Sequence, residues 1–334
     1  MNKRLKVLFL KQPPGRRDPW VKDAEEAIGS RHDLIEFDSS APLAPQFAGV
    51  DVVIDQGGSL GTREMADLCG SIKLWQILGT GFDKMDLAYW QAKNIPVANT
   101  PGPFSAVPLA ECALMYMIML SRKWHYTQEH LKQGIFYVDF GRELDGTTLL
   151  LFGFGASAQE LARRVRPFGV RIQAIDIREI GEEEKREFGL AEVGKPEDLD
   201  RLLPGCDFLS LHLHLNAQTR NIIDGRRLAS MKPEAFLINV ARGALVDEQA
   251  LYEALRTGRL AGAGLDVFAQ EPLDPNNPLL KLPNVVATPH ISGTTYGTSK
   301  RRGICVAENL DRIAQGLEPL YLIAKKSEAN TATR

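Results

Sequence analysis

Cysteine is scarce in this chain. Only four of 334 residues are cysteine, at Cys69, Cys112, Cys206 and Cys305, and they lie far apart. No CxxC pair and no Cys/His spacing of the zinc-binding kind occurs, so neither a disulfide framework nor a metal site is expected. Free thiols buried in a cytoplasmic protein are the reading that remains. Long apolar runs are missing too. None reaches the ~18 residues that would suggest a membrane span. The basic start Met-Asn-Lys-Arg-Leu-Lys is followed only by Val7-Leu-Phe-Leu10 before Lys11. That is too short for a signal-peptide core and fits a first strand. Excess charge is also lacking. With 40 Lys and Arg against 42 Asp and Glu the formal net charge is −2. Such a balance gives no electrostatic reason to expect nucleic acid or an anionic membrane as partner. Short repeats and low-complexity segments are absent.

What is present is an ordinary globular composition, 44% hydrophobic and 25% charged, at a length that suggests two domains. Residues 1–100 alternate short apolar runs with helix-like stretches. Strands are expected at 6–10, 33–37, 51–54, 74–78 and 96–98, and helices at 22–28, 63–69 and 87–93. Alternation of this kind implies βαβ units and a parallel sheet. Asn99-Thr-Pro-Gly-Pro103 then breaks the pattern as a linker should. An apolar helix over about 108–122 follows. It is hydrophobic nearly all round, which marks burial in a core or a subunit contact.

A second series has strands at 147–152, 170–176, 207–212, 235–240, 261–268 and 285–287. Helices are expected between them, near 157–168, 196–203, 225–231 and 248–257. A last helix over 300–315 cannot belong to the tail alone. It is expected to pack back on the first domain, making that domain discontinuous. The polar end, 325–334, is expected to fray. The fold class is therefore α/β, with two doubly wound parallel-sheet domains. The domains are expected at 1–100 with 291–334, and at 101–290.

Two features carry chemistry. Gly153-Phe-Gly155-Ala-Ser-Ala158 follows one strand and opens a helix. The first glycine permits a tight turn, the second lets the backbone approach a pyrophosphate, and the small third residue allows helix–strand packing. The helix N-terminus supplies N–H groups and a positive dipole end. Asp176 ends the next strand, about 20 residues on, where an acid can hold ribose hydroxyls and repel a 2′-phosphate. NAD is thereby favoured over NADP, with Arg178 close by as a countervailing charge. The second feature is a trio of ionisable residues after apolar runs: Arg242 in Asn-Val-Ala-Arg-Gly, Glu271 in Asp-Val-Phe-Ala-Gln-Glu-Pro, and His290 in Thr-Pro-His. Ligands of open parallel sheets bind beyond the carboxyl ends of the strands. A cation, a carboxylate and an imidazole are thus expected at one cofactor.

Taken together, these motifs resemble the D-isomer-specific 2-hydroxyacid dehydrogenases. The matching stretches also include Leu78-Gly-Thr-Gly-Phe-Asp83, Asn99-Thr-Pro-Gly102, Leu109-Ala-Glu111, Leu211-His-Leu213, Gly264-Leu-Asp-Val-Phe268 and Thr288-Pro-His290, and the resemblance runs over about 5–320. It implies a Rossmann NAD-binding domain inserted in a flavodoxin-like substrate domain. It implies hydride transfer between NAD(H) and a D-2-hydroxy acid/2-oxo acid pair. Arg242 would clamp the substrate carboxylate, since a guanidinium fork binds such oxygens at two points. His290 would be the acid that protonates the nascent alkoxide, oriented by Glu271 in the manner of an acid–His pair. The backbone of Thr80 and Gly81 would clasp the substrate carboxylate. Cofactor contacts would come from Gly153, Gly155, Ala156, Ser157 and Ala158 in the loop, and from Asp176, Ile177 and Arg178 at the ribose. His212, His214, Ala241, Ser292 and Gly293 would add to them, with Asp266 near the nicotinamide carboxamide.

Departures from the family pattern bear on substrate choice. Phe104 stands where many relatives have Asn, and the segment 103–109 is one residue longer than usual. His214-Leu-Asn216 replaces the usual Pro-Leu-Thr. Ser292-Gly-Thr-Thr295 resembles formate dehydrogenases, but those carry Gln where this chain has Glu271. Two alternatives share the fold: phosphoglycerate dehydrogenase, and NAD-sensing corepressors that bind without turnover. A homodimer formed through the apolar helix is expected, with hinges near 99–102 and 289–295 and substrate bound in an interdomain cleft. Outside the motifs, His32, His125 and His130 read as surface residues.

Overall fold

The computed structural model describes residues 3–13, 18–58 and 60–324. The expected fraying of 325–334 falls outside the described residues. Two compact units emerge: Met1–Phe104 with Thr294–Arg334, and Ser105–Gly293. In chain order the described strands are β1 (Lys6–Leu10), β2 (Asp33–Glu36), β3 (Val52–Asp55), β4 (Leu74–Ile77), β5 (Val97–Ala98), β6 (Thr148–Phe152), β7 (Arg171–Ile175), β8 (Leu190–Gly194), β9 (Phe208–Leu211), β10 (Phe236–Asn239), β11 (Gly262–Leu265), β12 (Val285–Ala287) and β13 (Leu322–Ala324).

In the first unit the sheet order is β13-β5-β4-β3-β1-β2. The pairs among β1–β5 are parallel, and β13 adds to β5 antiparallel. β3 and β4 are buried along their whole length. Strands covered on both faces need near-continuous apolar sequence, which Val52-Val-Ile and Leu74-Trp supply. The helix Tyr296–Ala314 belongs to this unit. It packs on the helix Asp18–Ile28 so closely that a Cβ on Gly303 would lie 2.7 Å from the Asp23 carbonyl oxygen. Val306 and Leu310 on it join Leu5, Val7, Phe9 and Ile28 in one core cluster. Asn309, fully buried, donates to Gln76 Oε1 at 2.7 Å and to the Leu320 carbonyl at 3.1 Å, and accepts from Leu320 N at 2.7 Å. These bonds tie the returning chain to β4.

In the second unit the order is β12-β11-β10-β9-β6-β7-β8, every pair parallel. The order reverses between β6 and β9, the crevice where doubly wound sheets bind dinucleotides. The helix Ala106–Ser121 buries Ala110, Ala113, Tyr116 and Met117 against this sheet but leaves Met115 and Ile118 exposed. The fold is thus two parallel-sheet α/β units, the second with Rossmann strand order.

Several local expectations need correction. β8 and β13 were not anticipated. β8 is an edge strand with only Leu190 buried, and β13 has three residues, so neither carries a strong apolar pattern. The helices Leu43–Phe47, Trp124–Lys132 and Glu182–Phe188 were also unexpected. His32 is buried rather than superficial. Its Nδ1 accepts from Leu5 N at 3.4 Å and its Nε2 meets Asp311 Oδ1 at 3.1 Å. It sits just before β2, where the C-terminal helix covers it. His125 is exposed, and His130 pairs with Asp139 at 2.7 Å. Cys69, Cys206 and Cys305 are buried free thiols, whereas Cys112 is only half-buried. No helix among the described residues is long and apolar enough to cross a membrane.

The Asn309 bonds give a stability test. Asn309→Ala leaves the buried Gln76 oxygen without this donor and the half-buried Leu320 amide without this acceptor. It should cost about 1–3 kcal/mol, the range for one unmet buried group. Urea unfolding of the variant measures this, and a loss under about 0.5 kcal/mol, the range of ordinary surface substitutions, would contradict it.

Candidate active site

β10, β11 and β12 are adjacent and parallel, so the segments leaving their carboxyl ends share one edge of the sheet. Arg242 follows β10, Glu271 follows β11 and His290 follows β12. The Arg242 segment is pinned by Asn239, whose Nδ2 donates to the Arg242 carbonyl at 2.9 Å and whose Oδ1 accepts from Ala241 N at 3.1 Å. Gly243 lies directly against the next segment. A Cβ there would stand 1.9 Å from the Phe268 carbonyl carbon. Only glycine lets the two backbones approach so closely.

The His290 ring meets Glu271 through Nδ1···Oε2 at 2.7 Å. An ionised carboxylate only accepts, so Nδ1 carries the proton and Nε2 is left facing away from the pair. Glu271 is itself held, its Oε1 accepting from Phe268 N at 3.1 Å. The side chains are 38% and 26% exposed, so the imidazole remains accessible. His290 adopts a positive φ of 54°. Its N–H donates to the Asp266 and Thr288 carbonyls at 2.8 and 3.0 Å, which holds this sparsely populated conformation.

Asp266 is fully buried. Its Oδ1 accepts from Thr288 Oγ1 at 2.5 Å and Ile291 N at 2.8 Å, and its Oδ2 from Ser292 N at 2.8 Å. Thr288 Oγ1 also contacts the Tyr116 hydroxyl. Since Thr288 donates to Asp266, Tyr116 donates to Thr288. Burial holds the Tyr116 phenol well above its usual value, so it stays protonated. Asp266 therefore braces the loop that carries His290. Thr288 and Tyr116 were not anticipated; the one sequence hint was Thr288 directly before Pro289-His290.

At the nucleotide loop, Gly153 has φ 88°, and a Cβ there would lie 2.6 Å from the His212 carbonyl oxygen. Gly155 has nothing within 4 Å of its Cβ position, which is open room at the start of the helix Ala156–Val165, where Gly155 caps without a side chain. Ala158 is buried against the sheet. Asp176 follows β7 and bonds the loop itself, its Oδ2 accepting from Phe154 N at 2.6 Å and its Oδ1 from Arg178 N at 2.9 Å. Ile177 beside it is 83% exposed, an apolar surface next to the acid. The loop, the open helix start and this acid fit a dinucleotide.

His212 lies between two hydroxyls, Ser157 Oγ on Nδ1 and Ser210 Oγ on Nε2, both at 2.9 Å. Enclosure of the ring pushes it from 6.5 down to about 3, so it is neutral at pH 7. Ser210 was not anticipated. His214 is exposed, and its carbonyl accepts from Thr219 Oγ1 at 2.7 Å. Ala241 and Ser292 are buried, and a Cβ on Gly293 would stand 3.2 Å from Leu109 Cδ1.

Thr80 and Gly81 lie in the first unit, past the end of β4. Thr80 Oγ1 donates to the Thr100 carbonyl at 2.9 Å and accepts from the buried Arg302 at 2.9 Å, and the Thr80 carbonyl accepts from Asn99 at 2.8 Å. In that unit the Phe104 ring packs edge-on against Tyr321, 5.6 Å between centroids, and its carbonyl accepts from Arg301.

The depressed His212 predicts a pH effect. The unfolded chain takes up a proton near 6.5 that the folded chain refuses until about 3. Stability should therefore fall as pH drops through that window, because the unfolded state binds more protons there. His212→Gln should flatten this part of a stability–pH curve. An unchanged acid limb would show that His212 titrates normally.

Residues 114–292 match the family model for the D-isomer specific 2-hydroxyacid dehydrogenase, NAD binding domain. The chain is 35% identical over 311 residues to hydroxypyruvate reductase of Thermotoga maritima, covering 88% of this chain and 95% of that one. It is 34% identical over 299 residues to D-3-phosphoglycerate dehydrogenase of Methanocaldococcus jannaschii, covering 89% of this chain but spanning 54% of that longer relative. A solved D-lactate dehydrogenase from Aquifex aeolicus, complexed with NAD and lactic acid, superposes with a TM-score of 0.82 at 26% identity, covering 96% of this chain and all of that one. The chain belongs to the D-isomer-specific 2-hydroxyacid dehydrogenase family and is an NAD-dependent oxidoreductase.

Proposed function

We propose that this enzyme reduces a small 2-oxo acid, of the glyoxylate or hydroxypyruvate kind, to its D-2-hydroxy acid. The observation that carries the reading is the His290–Glu271 pair at 2.7 Å, beside the strand end that bears Arg242. NADH, when bound, supplies the hydride. Arg242 binds the substrate carboxylate and polarises the ketone with a two-point fork. His290 Nε2–H gives its proton to the oxygen that becomes the hydroxyl, and Glu271 steadies the ring through Nδ1. In this reading Thr80 and Gly81 add backbone contacts to the carboxylate. The hydroxypyruvate reductase name of the Thermotoga maritima relative supports the substrate class. Residues 101–290 form the cofactor-binding part of the reading. Asp176 gives a preference for NADH over NADPH that Asp176→Ala narrows. Four unpaired thiols suit a reducing cytoplasm.

The reading includes a homodimer. Met115, Ile118, Leu131, Phe136, Val138 and Phe140 are exposed apolar side chains within 115–140 of one unit. So many large apolar side chains left exposed within one stretch of chain suit a contact surface, and a second copy of the chain is the occupant we infer. Light scattering at micromolar concentration should give twice the chain mass, and Phe136→Glu should halve it. A monomeric parent would overturn this part.

Turnover is tested with NADH against glyoxylate, hydroxypyruvate, pyruvate, a branched 2-oxo acid and 3-phosphohydroxypyruvate. At least one should be reduced well above background. Binding of NADH with no turnover of any would favour a sensor. On the best substrate, His290→Gln should lower kcat by roughly 10²–10⁴-fold, the range for losing a general acid, with NADH affinity little changed. Arg242→Lys should harm both KM and kcat, because one ammonium cannot reproduce the fork. Near-normal kcat in His290→Gln would sink the assignment of the proton donor.

A further inference from the structure

Arg178 stands two residues after Asp176. A guanidinium presented there would attract a 2′-phosphate and work against the discrimination assigned to the acid. The structure shows where its fork goes. Nη1 donates to Glu184 Oε2 at 2.7 Å, Nη2 reaches the other oxygen, Oε1, and Nη2 also donates to the Phe154 carbonyl at 2.8 Å. Glu184, on the helix Glu182–Phe188, is buttressed in turn. Gln159 Nε2 donates to its Oε1 at 3.0 Å and to the Phe154 carbonyl at 3.3 Å. The Phe154 backbone is gripped on both sides, its N–H by Asp176 and its carbonyl by Arg178.

A cavity of about 320 Å³ lies beside this clasp, lined by Arg178, Lys185 and Lys195 and also by Glu179, Glu182 and Asp198. Its cations are already engaged. Lys185 pairs with Glu182 at 2.6 Å, and Lys195 Nζ donates to the Ile177 carbonyl at 3.1 Å. Arg178 is the one aligned with the acid, through its own N–H on Asp176 Oδ1.

We propose that Glu184 is a cofactor-specificity residue. By holding both arms of the Arg178 fork, it withdraws that cation from the ribose corner and leaves the charge of Asp176 to reject a 2′-phosphate. Glu184 answers the charge of Arg178 and leaves that of Asp176 for the ribose; without Glu184 the fork is released. The proposal deepens the NADH preference above and rests on the reading of Asp176 as the ribose-binding acid.

Direct titration of the full protein with NADH and with NADPH tests it, following dissociation constants by nicotinamide fluorescence without substrate. The variants are Glu184→Gln, Glu184→Asp, Asp176→Ala and the pair Glu184→Gln with Arg178→Ala. Glu184→Gln should tighten NADPH about tenfold, the equivalent of about 1.4 kcal/mol, and leave NADH within about threefold, under half that free energy. Glu184→Asp, which keeps the charge, should stay near the parent. Removing Arg178 as well should abolish the gain. If Asp176→Ala tightens NADPH but Glu184→Gln does not, the latch is wrong and the ribose acid stands. If neither variant tightens NADPH, the Asp176 reading falls and the latch with it. Equal weakening of both cofactors in Glu184→Gln would make Glu184 a structural clasp of the loop, which also overturns the proposal.

Discussion

The bond from His290 Nδ1 to Glu271 Oε2 is the interaction on which the proposed chemistry depends. A lone imidazole has two equivalent nitrogens and free rotation; this one has neither. The carboxylate holds the proton on Nδ1 and leaves Nε2 outside the pair, the nitrogen that the proposed reaction uses. The pair exists because β11 and β12 are parallel neighbours whose ends deliver two short loops to one edge. Asp266 then does for the backbone what Glu271 does for the ring. Buried with both oxygens engaged, it holds the amides of Ile291 and Ser292, while its own carbonyl takes the His290 N–H. A residue at φ 54° needs such support.

The nucleotide corner follows the same logic of backbone held by charge. Asp176 and Arg178 grip the backbone of one residue, Phe154, in the turn where the sheet order reverses. Ser157, His212 and Ser210 form a neutral chain linking the helix start to the end of β9. A charged imidazole there would oppose the enclosure, which is why His212 is pushed down. The glycines at 153 and 243 permit approaches of backbone to backbone that no larger residue allows.

Much of this was legible in the chain. Continuous apolar runs such as Leu149–Phe152 and Phe236–Ile238 mark strands buried on both faces, and Arg242, Glu271 and His290 come within a few residues of the ends of such strands. Strand ends are therefore readable from local sequence. What escaped was set by tertiary context. β13 is three residues paired only with β5, so its local signal is weak. His32 looks polar and superficial until the helix Tyr296–Ala314 covers it. Tyr116 sits in an apolar helix where its hydroxyl has no evident use until Thr288, 172 residues on, comes beside it. Glu184 reads as one acid among Glu182-Glu-Glu184, and only the fold shows which of them faces Arg178.

If His290 and Glu271 act as one proton-donating unit, the losses on replacing them do not add. The decisive measurement is kcat/KM on the best 2-oxo acid for the parent, His290→Gln, Glu271→Gln and the double variant. The double variant should lose no more than His290→Gln alone, because without the imidazole the carboxylate has no ring to orient. Losses that simply add, or a Glu271→Gln enzyme as active as the parent, would contradict the acid–base pair as the centre of this enzyme.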